Sequence, residues 1–138
     1  MRHHVILRVI AKLGIPFIVL FALYVQFHGD FGPGGGFQAG VIFGAAFILY
    51  ALIFGLDNAL KVAPMNLVIT FIAVGLLVFA GVGVAALIRG GKYLDYGVLA
   101  DNFVAGQHLG ILLVELGVGI TVAAVMIAIF FTFADRGR

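Results

Sequence analysis

Glu115 and His108 stand seven residues apart inside a long apolar stretch. On a helix, seven residues nearly close two turns. The two groups therefore share a face and lie about 10.5 Å apart along the axis. Asp101 continues the same stripe if the helix extends back to it. A carboxylate and an imidazole in this arrangement can hold a proton, pass it on, or take a cation in its place. Gly106, Gly110, Gly117 and Thr121 fall on a different face of the stretch, about 140–160° away. An acidic residue at the centre of a membrane helix costs about 2.5–3.5 kcal/mol on insertion scales, so the stripe must face protein or water rather than acyl chains. Two readings of Glu115 stay open. It is satisfied by a nearby group and orients the chain against a neighbour, or it borders a hydrated ion path together with His108. Asp30, Asp57, Asp95 and Asp101 fall in links or at helix ends, where a solvated or capping carboxylate is the plainer reading.

Other chemistry is thinly represented. There is no cysteine, hence no disulfide framework, thiol nucleophile or cysteine-held cluster. The histidines, at 3, 4, 28 and 108, have no tight ligand spacing, so no metal site and no cofactor are expected. The run Gly32-Pro33-Gly34-Gly35-Gly36-Phe37 invites a phosphate-loop reading. That reading fails, because the Lys-Ser/Thr ending is absent and no strand precedes the run. The physical reading is a tight re-entry into a helix. Glycines permit unusual backbone angles, Pro33 fixes one, and the free N–H groups of the next helix open behind it, where an anion or carboxylate could sit. Gly36, Gly40 and Gly44 then recur every fourth residue and form one groove.

The elements that carry these residues follow from composition. Of 138 residues 64% are hydrophobic and only 10% charged, with a mean hydropathy of +1.24. A chain this apolar could not cover itself in water, which excludes a soluble enzyme, a nucleic-acid-binding module and a disordered regulator. The net charge of +2 forms no patch and points to no nucleic acid. No signal-peptidase site follows the first apolar stretch, where Phe27-His28-Gly29-Asp30 lacks the small residues required.

A crossing needs about 20 apolar residues. Four stretches meet this, at about 5–27, 36–56, 64–88 and 103–134. The expected fold is an all-α membrane protein of four antiparallel transmembrane helices, residues 1–138 forming a single membrane domain with no soluble domain. Pro16 is expected to kink the first helix and Pro64 to open the third. The links are 28–35, 57–61 and 89–102. Arg2, Arg8, Lys12, Lys61, Arg136 and Arg138 would share one side, and Arg89 and Lys92 the other, which predicts cytoplasmic termini. Twenty glycines are about twice the usual share. In lipid, glycine lets helix backbones approach closely, so the glycine stripes are packing seams within the chain or docking surfaces for a different protein.

The segment His28-Gly29-Asp30-Phe31-Gly32-Pro33-Gly34-Gly35-Gly36-Phe37-Gln38-Ala39-Gly40 resembles the Pro-Gly-Gly-Gly-Phe motif of the MnhB family, a small membrane component of Mrp-type multisubunit Na+/H+ antiporters. His108 to Gly119, with Glu115 ahead of Leu-Gly-Val-Gly, is similar to that family's last helix. Asp30-Phe31-Gly32 departs from the Asn-containing link of many members. The resemblance implies an accessory membrane subunit of a bacterial or archaeal inner-membrane complex that exchanges Na+ for H+. Its implied partners are large antiporter-like subunits, other small membrane subunits and lipid. It also implies a rival, since a close relative of this family occurs in membrane-bound hydrogenase-like, complex I-related ion pumps. Either way the chain is expected to act as a transporter subunit rather than an enzyme, supporting assembly and lining part of an ion path.

Overall fold

The computed structural model describes residues 5–28, 35–91 and 103–136. They form five helices: α1 (Val5–His28), α2 (Gly36–Phe54), α3 (Leu56–Val62), α4 (Met65–Ile88) and α5 (Phe103–Arg136). Four of these, α1, α2, α4 and α5, are long and apolar enough to cross a membrane. The described residues contain no strand and no unit outside the helical one. This is a multi-pass membrane protein with consecutive long helices antiparallel.

The helices pack in a row rather than in a closed square. α5 lies between α2 and α4, and α1 packs on the outer side of α2 with only a slight touch on α5. The second and fourth crossings therefore meet side by side and run parallel: Gly36 lies against Glu115, Gly40 against Gly119 and Val122, and Gly44 against Ala123 and Met126. On the opposite face of α5, Gly117 and Thr121 meet Gly75 of α4, with Phe79 and Val78 one turn on. That pair is antiparallel, since α4 numbers rise as α5 numbers fall.

Backbones nearly touch along both seams. A Cβ at Gly40 would lie 2.8 Å from the Gly119 carbonyl oxygen and 2.8 Å from Val122 Cβ. A Cβ at Gly75 would lie 2.7 Å from the Gly117 carbonyl oxygen and collide with Thr121 Oγ1. The Thr121 hydroxyl donates a long hydrogen bond, 3.5 Å, to the Ile72 carbonyl. Association in lipid draws on van der Waals packing, which such approach maximises.

The link expected at 57–61 is a helix. Gly55 has φ 98°, a conformation that side-chain-bearing residues rarely adopt, and it ends α2 at Phe54 instead of continuing to residue 56. Asn58 Nδ2 donates to the Phe54 carbonyl at 2.6 Å, and Asp57 and Lys61 sit at the favourable ends of α3. Ala59 is fully buried, in a cluster with Ala51, Val68, Ala124, Ile127 and Phe131. Phe47 meets Phe131 edge-on at 5.7 Å within it. Pro64 stands just before α4 rather than in its first turn, and α1 continues as helix through Pro16.

Ala11, Ile53 and Phe54 form a second cluster where α1 begins and α2 ends. The Arg8 guanidinium and the Lys12 ammonium lie 5.6 and 5.9 Å from the centroid of the Phe54 ring. The outer faces stay apolar and open. Ile6, Leu13 and Phe17 on α1 and Leu77 and Ile88 on α4 are all exposed.

The seams predict a sharp contrast between glycines. Gly40→Leu and Gly75→Leu force side chains into backbone and should destabilise the chain by at least about 1–3 kcal/mol. Gly81→Ala adds a methyl group where nothing lies within 4 Å and should be neutral. Thermal unfolding in mild detergent checks this. Equal melting points for Gly40→Leu and Gly81→Ala would contradict the seam.

Candidate functional site

α2 begins with Gly35 as its N-cap, at φ 153°. The first helical hydrogen bond of α2 runs from the Ala39 N–H to the Gly35 carbonyl, at 3.0 Å. The N–H groups of Gly36, Phe37 and Gln38 therefore precede the internal ladder and point out of the helix end. The Glu115 carboxylate lies there. A Cβ at Gly35 would be 3.1 Å from Glu115 Oε1 and 3.4 Å from Gln38 Oε1, and one at Gly36 would run into the Glu115 carbonyl. Glu115 thus touches α2 twice, with its backbone under Gly36 and its carboxylate beside Gly35.

The electrostatics follow from the parallel pairing. Within α5, Glu115 is far from either terminus, so its own helix dipole does little for it. The N-terminus of α2, arriving alongside, supplies partial positive charge and oriented donors. A carboxylate in such a position is stabilised by about 0.3–1 kcal/mol, and by up to ~2 kcal/mol when partly buried. Glu115 is half-buried, and its position lies six residues past Leu109, where the apolar span of α5 begins, or about 9 Å along the axis.

Glu115 therefore faces a helix of the same chain. Within the chain, Glu115 lies beside Gly35, Gly36 and Gln38. The reason lies in the two faces of α5. Glu115, Gly119, Val122 and Met126 form the α2 face, while Gly117 and Thr121 form the α4 face on the other side. Phe37 is exposed, and Gly36, Gly40 and Gly44 are buried. His108 lies in α5, but its side chain falls outside the described residues, as do Asp101, Pro33 and Gly34 altogether. Lys12 sits over Phe54 at the far end of α2 and is no partner for Glu115. Among the described residues no group of three His, Cys, Asp or Glu side chains could hold a metal ion.

One residue escaped the sequence reading. Gln26 of α1 is 5% exposed, the one buried polar or charged side chain among the described residues. A Cβ at Gly119 would lie 2.5 Å from Gln26 Oε1 and 3.3 Å from the Gly36 carbonyl oxygen. Gln26 thus lays its amide on the glycine seam, one helical turn from Glu115 along α5. Gln26 stands so near the end of a crossing that it reads as an ordinary polar boundary residue. The available signal was Ala22, four residues earlier on the same face, whose small side chain lets α1 lie close.

A row of four apolar crossings held by backbone contact, with the Glu115 carboxylate beside the N-terminus of α2, defines a small multi-pass membrane protein. The chain belongs to the MnhB family: residues 6–128 match the family described as "Domain related to MnhB subunit of Na+/H+ antiporter". Relatives from Staphylococcus aureus strains Newman, COL and NCTC 8325 / PS 47 are each named "Putative antiporter subunit mnhB2". Each is 33% identical over 133 residues, covering 94% of this chain and 94% of the relative.

Glu115→Gln keeps the shape and removes the charge. It should lower unfolding stability in detergent by no more than about 2 kcal/mol, the range of a charge–dipole contact. Gly36→Ala, which drives a methyl group into the Glu115 carbonyl, should lower it more. The opposite order, read from melting temperatures, would separate Glu115 from the α2 terminus.

Proposed function

We propose that the chain is an integral-membrane subunit of a multisubunit Na+/H+ antiporter, supporting assembly of the complex and lining part of an ion path beside Glu115. The observation that carries this reading is the family match, which runs through all four crossings from residue 6 to 128. The structure supports the accessory part of the role. A complete ion pump would be expected to place several ionisable groups at membrane depth, and among the described residues Glu115 is the one carboxylate well inside a crossing. The exposed apolar faces of α1 and α4 suit contact with other membrane chains as well as with lipid.

Na+ and H+ are the ions of the complex, and its other subunits are the partners. The chain is a transporter component rather than an enzyme. A hydrogenase-type complex is not favoured, because both the family description and the relatives' names refer to an antiporter. The purified chain alone in liposomes should give no Na+-dependent proton flux, whereas the whole complex should give it and lose it when this chain is deleted. Flux from the chain alone would refute the accessory role. Unchanged antiport after its deletion would favour a scaffold with no transport role. In the whole complex, Glu115→Gln with intact assembly and lost antiport supports the ion path, whereas lost assembly supports orientation alone.

The chain lies in the cell membrane with both termini in the cytoplasm. In support, Arg8 and Lys12 gather over Phe54 beside α3, which carries Lys61, and α5 runs parallel to α2 and so ends on that side at Arg136. The sequence has no cysteine, so introduced ones report cleanly. In intact cells, Arg138→Cys should resist a membrane-impermeant thiol reagent and Lys92→Cys should react with it. The reverse pattern would invert the topology.

A further inference from the structure

Arg8 and Lys12 are four residues apart on α1, so their side chains leave the same face of the helix. Both turn onto the ring of Phe54, the last residue of α2, at 5.6 and 5.9 Å from its centroid. Like charges at this spacing repel. The ring is buried, as is Ala11 beside it, so little water screens the pair from that side. Arg8 is half-buried and has a further contact of its own. Lys12 is exposed and, among the described residues, meets the ring but no acid. The whole end is short of anions: Arg8, Lys12, Lys61 and Arg136 lie there against Asp57 and Asp135.

We propose that Lys12 and Arg8, seated on Phe54, bind the phosphate of an anionic phospholipid. Charge calls for an anion, and depth selects which. The apolar span of α2 ends at Phe54, and α3 follows with Asp57 and Lys61. The two cationic heads therefore stand at the edge of the hydrocarbon, the level at which lipid phosphates begin. A lipid also needs an apolar surface for its chains. Val5, Val9 and Leu13 supply one, exposed on α1 beside the cations. A free anion has no use for that surface. A neighbouring helix would have to bring a carboxylate to this depth, whereas phosphates line it everywhere. A zwitterionic headgroup would bring its own cation to the pair, which favours a lipid of net negative charge. The proposal depends neither on the antiporter reading nor on which side is cytoplasmic, because it needs only a leaflet that contains anionic lipid.

The chain has no tryptophan, so an introduced one is read without background. Val9→Trp places it on the exposed side of α1, about one helical turn from Lys12. The full chain carrying it is reconstituted into vesicles of phosphatidylcholine and phosphatidylglycerol, with one or the other lipid brominated on its acyl chains. Bromine quenches tryptophan on contact, so the two mixtures report the lipid composition beside Val9. Phosphatidylglycerol should be enriched there about fivefold over the bulk, the scale set by one basic residue at an anionic surface. Leu77→Trp, exposed in the middle of α4, should show no enrichment. Lys12→Gln should lower the enrichment severalfold, and Arg8→Gln with Lys12→Gln should abolish it. If the double variant does not fold, Lys12→Gln alone decides, since Lys12 is exposed. Lys61→Gln, on α3 at the same end, should leave the enrichment in place. Inorganic phosphate should compete no better than chloride at equal ionic strength. Equal quenching by both lipids would leave the pair to a carboxylate of a neighbouring chain and overturn the proposal. Enrichment that survives Lys12→Gln, that falls as far with Lys61→Gln, or that inorganic phosphate specifically displaces would each overturn it too.

Discussion

Backbone contact along two opposite faces of α5 is the constraint from which the rest of the structure follows. In lipid, apolar side chains gain little by leaving one hydrocarbon environment for another, so helices are held where their backbones can come close. α5 presents Gly119 and the Glu115 backbone to α2, and Gly117 and Thr121 to α4. Because these faces oppose each other, α2 and α4 are kept apart and the four crossings form a row. The row in turn leaves a free face on α5, and that face is the floor of an apolar groove walled by α1 and α2 on one side and α4 on the other. A single stripe of small residues would have drawn both partners to one side and closed it.

The same geometry explains why an acid at Glu115 is tolerable. On the side of the membrane where α5 begins, a parallel neighbour presents its N-terminus, whereas an antiparallel one ends there with carbonyl groups. The up-down order of crossings makes the second and fourth parallel, and the α2–α5 seam sets their stagger so that Gly35 and Gly36 stop at Glu115. Fold and charge placement therefore share one cause. α1, which lacks glycine contacts of this kind, is held instead by Ala11, Ala22, Val25 and the Gln26 amide, and most of its surface remains exposed.

Much of this was legible in the residues, and the parts that were not have identifiable physical reasons. The crossings were readable because an apolar run of helical length has few alternatives at a mean hydropathy of +1.24. Gly36, Gly40 and Gly44 could be read as one groove from their four-residue spacing. What that groove packs against could not, since spacing describes one helix and not its neighbour. The same limit applies to Glu115. Angle arithmetic correctly separated it from the Gly117 face, but only the packing order shows that α2 occupies its side. Asp57, Asn58 and Lys61 are polar and give α3 the look of a link, whereas Ala59 and Leu60 anchor it in the core. Gln26 gives no signal in the sequence, because one amide at a helix end carries no pattern.

α2 is much the shortest crossing. Its 19 residues measure about 28 Å, against about 36 Å for the 24 residues of α4. A membrane potential falls across the low-dielectric layer, and each elementary charge moved through 100 mV exchanges about 2.3 kcal/mol with it. Where the polar ends of α2 bound that layer, the same voltage drops over about three quarters of the distance it has along α4. The field would then be steepest beside α2, whose first residues lie against Glu115.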